Sequence, residues 1–98
     1  MQSGYEIDQI FLKRKQGQTE ILLVCVAPSG ALKRETLQFA TLDNKQALGM
    51  AARHLARRPD IGSLGKTRLR VDKAGQWFDD TVLQKHFKTR FNLENDDY

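Results

Sequence analysis

The chain has one cysteine, two histidines and two prolines among its 98 residues, and no apolar run near the ~18 residues that crossing a bilayer takes. A lone Cys25 excludes an internal disulfide, and its place in the run ILLVCVA marks it as a small buried hydrophobe rather than a reactive thiol. Neither His54 nor His86 has a second ligand at helical i+3 or i+4 spacing, so no metal and no other cofactor is expected. The opening MQSGYEIDQ lacks the basic region and apolar core of a secretory leader, so the expected location is the cytoplasm, with no membrane partner. Ser3, Ser29 and Ser63 fall in a terminus or in turns, away from any nucleophile elbow. GSLGKT, residues 62 to 67, fails as a phosphate loop: the leading glycine of that motif falls on Asp60, a helix precedes the segment and a strand follows it. These absences point away from an enzyme.

What is present is an ordinary folding composition, 40% hydrophobic and 29% charged, with enough length for one core. Residues 1–93 are expected to form one globular domain, and 94–98 a short, disordered acidic tail. Net charge is +4, but the body up to residue 93 carries sixteen Lys and Arg against nine Asp and Glu. Such a surplus suits an anionic partner.

The most readable segment is Asp43 to Arg58. Leu48, Ala51, Ala52 and Leu55 recur at i, i+3, i+4 and i+7, the spacing of a helix with one buried face. Asp43 and Gln46 fit a capping box, Arg57 and Arg58 the last turn, and Pro59 stops the ladder. Gly49 is unusual in mid-helix, at a cost of about 1 kcal/mol against alanine, and suggests close approach of another backbone or a phosphodiester.

Before this helix, Tyr5 to Lys15, Thr19 to Ala27 and Leu32 to Ala40 read as a three-stranded meander. Tyr5, Ile7 and Phe11 fall on one side of the first strand and Ile10 and Leu12 on the other. The second strand is apolar on both faces, and Leu37 and Phe39 point inward on the third. After the helix, Pro59 to Gly65 reads as a connector and Lys66 to Asp72 as a strand parallel to the first or third. Gln76 to Phe78 suits a short fifth strand or an aromatic plug, with Trp77 in the core. Asp80 to Phe91 suits a second helix, its apolar stripe made by Val82, Leu83, Phe87 and Phe91 and its other face by Lys85, Lys88 and Arg90. The expected fold is α+β: an antiparallel meander, a crossover helix, a fourth strand and a C-terminal helix, with helices on one face of a sheet of four or five strands.

That order also resembles the start of the ribonuclease H-like fold, with Asp8 and Asp72 on the first and fourth strands. Two-metal phosphodiester chemistry needs further carboxylates, and Asn44 to Arg58 has none. Residues 5 to 58, a meander followed by a basic helix, resemble double-stranded RNA-binding domains and the arm-binding domains of phage integrases, which implies nucleic-acid binding. Clusters such as LKRK, LKRE, ARR and TRLR alternate with apolar residues, so they belong to folded elements rather than to a loose arm.

The expected function is therefore non-catalytic binding of DNA or RNA by an accessory protein that contacts phosphates. The candidate residues are Lys13, Arg14, Lys15, Lys33, Arg34, Lys45, Arg53, Arg57, Arg58, Arg68 and Arg70. Base-stacking aromatics are expected on the inward register and so out of play. The alternative is a protein-interaction module or inhibitor that docks an acidic protein or homodimerises through its sheet, one face of which two helices leave partly bare.

Overall fold

The computed structural model describes residues 4–95. Its five strands are β1 (Tyr5–Lys15), β2 (Gln18–Val26), β3 (Leu32–Phe39), β4 (Ile61–Lys73) and β5 (Gln76–Asp79). Helix α1 (Asn44–Ala56) joins β3 to β4, and α2 (Thr81–Asn95) follows β5. The strands lie in the order β3-β2-β1-β4-β5, antiparallel throughout except for β1 beside β4. This is the α+β architecture expected, with β5 a true strand and the parallel partner of β4 settled as β1. Among the described residues no helix is long and apolar enough to cross a membrane. Of the acidic end, Glu94 lies in α2 and meets Arg90 at 4.0 Å, while residues 96–98 fall outside the described residues.

Both helices cover the same side of the sheet. Ile7, Ile10 and Leu12 of β1, Ile21, Leu23 and Cys25 of β2, and Leu69 and Val71 of β4 are buried beneath Ala47, Leu48, Ala51, Ala52 and Leu55 of α1 and Phe87 and Phe91 of α2. The three fully buried alanines of α1 let its axis come close to its neighbours. The two phenylalanines fill the space beside them, their rings stacked 6.1 Å apart. Full burial of side chains this large stabilises by about 1.5–3 kcal/mol each.

Four sequence expectations are corrected here. A bulge between Ile7 and Gln9 inserts Asp8 into β1, and the extra residue turns Ile7 to the side of Ile10 and Leu12. Phe11 consequently faces away from the helices. The segment expected as a connector, residues 61 to 65, is already strand; β4 pairs with β1 from Tyr5 and Ile61 onward and bulges where Ile7 and Gln9 oppose Leu64 and Arg68. The Thr67 hydroxyl fills that irregularity by donating to the Ile7 carbonyl at 2.7 Å. Trp77 is 46% exposed and lies edge-on to Phe11, outside the core, and Val82 is 69% exposed, leaving Leu83, Phe87 and Phe91 as the stripe of α2.

The caps explain where the helices begin. Asp43 accepts from the amides of Lys45 and Gln46 at 2.9 and 3.2 Å. Gln46 does not return to the Asp43 amide; the Thr41 hydroxyl takes that amide at 3.2 Å and donates to Gln46 Oε1 at 2.6 Å, so a hydroxyl relays the second half of the box. Asp80 caps α2 through the Leu83 amide at 2.9 Å. Gln16 and Gly17, with φ of 50° and 78°, make the two-residue turn between β1 and β2.

Candidate nucleic-acid interface

Five of the eleven candidate cations lie on the uncovered face of the sheet, where alternation and register put Lys13, Lys15, Arg34, Arg68 and Arg70 beside Leu22, Val24 and Phe11. Four of these are matched to carboxylates. Lys13 and Lys15 share Glu20 at 3.9 and 3.7 Å, and Arg68 and Arg70 share Asp79 at 3.2 and 3.3 Å. Asp79 stands at the end of β5, opposite Arg70, which commits it to the guanidinium groups. Among the described residues Arg34 has no carboxylate within 4.0 Å. Phe11 and Trp77 meet on this face with ring centroids 5.3 Å apart, and the Arg70 guanidinium lies 6.0 Å from the Phe11 centroid. Aromatics expected to point inward thus reach the open side.

Lys33 and Arg58 belong to a compact ionic cluster on the helix side of β3. Arg58 donates to Glu35, and holds Asp60 in a two-pronged pair through Nε at 3.0 Å and Nη2 at 2.6 Å. Lys33 stands 3.5 Å from both Glu35 Oε2 and Asp60. The Arg58 hydrogen bonds depress the carboxyls: Asp60 falls to about 2, and Glu35 also moves below its ordinary value. Arg58 itself is pushed up by its bonds to Glu35 and Asp60. Four groups of opposite sign cancel one another here, and they tie the strand that follows the crossover to β3. Cys25, the cross-strand neighbour of Lys33, is buried, and burial pushes its thiol up.

Of the remaining candidates, Lys45 and Arg53 belong to α1 and Arg57 is its C-cap, while Arg14 reaches the first residue of the helix by donating to Asn44 Oδ1 at 3.3 Å. Lys45 and Arg53 line a cleft of about 500 Å³ between the helices, together with Gly49, His86 and Arg90. Lys85 continues it toward the start of α2. Among the described residues, Lys45, Arg53, Arg57, Lys85 and Lys88 have no carboxylate within 4.0 Å, and Arg90 meets only Glu94. The caps Asp43 and Asp80 are spent on helix amides. Gly49 forms part of the cleft floor, and a Cβ built there would meet only Arg90 Nε, at an ordinary 3.8 Å. No backbone approaches it. Comparison with protein-family models, with curated proteins and with solved structures finds no match.

Lys85, Lys88 and Arg90 were legible in the sequence as the polar face of the second helix. What the linear pattern does not contain is the packing of α2 beside α1, which brings Arg90 over Gly49 and joins two separate basic faces into one. The nuclease reading gains nothing: Asp8 sits at the bulge of β1 and Asp72 lies across from the far end of that strand, next to Val71, which pairs with Leu12. Among the described residues no group of three His, Cys, Asp or Glu is placed to hold a metal ion. GSLGKT is extended strand, with no helix start to cradle a phosphate.

Proposed function

We propose that this protein is a non-catalytic, sequence-tolerant nucleic-acid-binding accessory protein that seats backbone phosphates on its helical layer. The observation that carries the reading is the charge of the α1–α2 cleft: Lys45, Arg53, Lys85 and Arg90 line it, and among the described residues Glu94 is the one carboxylate that meets any of them. Lone cations held on two packed helices form a site of fixed shape, and binding a polyanion there releases condensed counterions without first breaking an ion pair. The sheet cations differ, because a phosphate must displace Glu20 or Asp79 to reach them.

Fluorescence anisotropy of labelled single- and double-stranded oligonucleotides tests this. Four phosphate contacts correspond to a slope of log K against log salt near −3.6 for duplex, so affinity drops roughly a hundredfold between 50 and 200 mM salt. Reversal of Lys45 and Arg53 to Glu abolishes measurable binding, whereas Arg68→Gln with Arg70→Gln leaves it nearly intact. An affinity indifferent to salt, or one destroyed by the sheet pair and not by the helix pair, refutes the assignment.

A further inference from the structure

The open face of the sheet has the makings of an interface. Leu32, Val26, Val24, Leu22, Phe11 and Trp77 form a continuous apolar band from β3 across to β5. Leu32 is 63% exposed at one end of it and Trp77 46% at the other. A soluble monomer gains nothing from such a band on a sheet with no second layer.

We infer that a second copy of this chain covers the band, sheet against sheet, and that the resulting dimer carries its two basic helical layers on opposite outer sides, able to bridge two nucleic-acid segments. The bridging half rests on the proposed function; the pairing half does not.

Three observations favour a second copy as the occupant. Glu20 offsets part of the charge of Lys13 and Lys15, and Asp79 part of that of Arg68 and Arg70, so the face does not strongly repel its own image. The helical layer, with its unmatched cations, does. The area also suffices: five strands ~4.8 Å apart and about eight residues deep at ~3.4 Å each present roughly 600 Å² per copy, or about 1,200 Å² in all, the lower end of stable interfaces. The charges left over are complementary under a two-fold axis along the middle strand, β1. That operation lays the β3 half of one copy over the β4–β5 half of the other, bringing Arg34 to the half that carries Asp72, neither of which has an ion-pair partner among the described residues. Bases of a single strand are a poorer fit. The Phe11 ring is occupied by Trp77 and Arg70, and the neighbouring positions are the aliphatic Leu22 and Val24.

Sedimentation of the full chain without nucleic acid tests the pairing. At about 100 µM the wild type is expected at twice the 11.2 kDa of one chain, dissociating on dilution. Leu22→Glu, at the centre of the face, is expected at the single mass. So is Thr36→Arg, which adds bulk and charge at an exposed position in register with Leu22 without removing a packed group, and so guards against mere misfolding of the first variant. Both variants keep the wild-type affinity for one labelled duplex but lose the energy transfer between two duplexes carrying donor and acceptor dyes. A wild type that sediments as a single chain, or variants that still double, overturn the inference whatever nucleic acid does. Quenching of Trp77, the sole tryptophan, by a single-stranded oligonucleotide, abolished in Leu22→Glu, overturns it in favour of base stacking on the sheet.

Discussion

The two faces of this domain carry similar numbers of cations and treat them in opposite ways. On the sheet, strand pairing places four of the five open-face cations, Lys13, Lys15, Arg68 and Arg70, within reach of Glu20 or Asp79. On the helices, the acids among the described residues are confined to the caps and to Glu94, and Lys45, Arg53 and Lys85 have no carboxylate partner there. Counting positive residues along a chain therefore says little about a binding surface. What matters is whether the fold supplies a counter-charge within reach, and here one layer does and the other does not.

The contrast is open to attack from several directions. The largest expected effect is on binding: reversing Lys45 and Arg53 together should weaken oligonucleotide affinity by more than a hundredfold, while the single change Lys45→Gln lowers the salt slope by about one, as loss of one phosphate contact requires. Titration at several salt concentrations reads both.

Next comes the ionic cluster, which the comparison assigns to stability alone. Glu35→Gln leaves Arg58 with Asp60 as its sole full partner and is expected to cost about 1–3 kcal/mol in urea denaturation with no change in oligonucleotide affinity. The same cluster sets a pH dependence. Glu35 and Asp60 have folded-state values below their unfolded ones, so their contribution is fully present above the ordinary carboxylate range near 4 and is lost as pH falls toward 2. Acid unfolding followed by circular dichroism should lose its steepest part in that window when Arg58 is replaced by Leu.

The smallest effect is at Gly49. Its surroundings accept a Cβ, so Gly49→Ala is expected to stabilise by about 0.5–1 kcal/mol, a rise of roughly 4 °C in the melting temperature. If oligonucleotide affinity fell tenfold in this variant, close approach of a phosphodiester to the helix would be the reason for glycine after all. An unchanged affinity leaves Gly49 as spare room beneath Arg90.

Much of the architecture was legible before any coordinate. The α1 stripe, its aspartate cap and the inward alternation of Leu37, Phe39, Leu69 and Val71 follow from period and turn chemistry, which are local. What went astray was non-local. A single inserted residue, Asp8, reverses the sense of everything before it in β1, and nothing in the run YEIDQIF marks which residue is the extra one. Trp77 reads as core because large aromatics are usually covered, yet β5 is short and at the sheet margin, and both helices lie on the other side of the sheet. Arg58 read as a helix-end cation for the same kind of reason. Its true partners, Glu35 and Asp60, lie on a different strand and beyond the proline, and only the parallel addition of β4 brings them together.

The parallel pairing of β1 with β4 also governs how the chain can assemble in time. The central strand receives one neighbour through a two-residue turn but must wait for the other until more than half of the polypeptide has been looped round, so the hairpin and α1 can form early while the sheet remains incomplete. Closure of that long loop is then the slow step, and Thr67, whose hydroxyl bonds to Ile7 across the junction, stands at the seam where a late transition state should leave its mark.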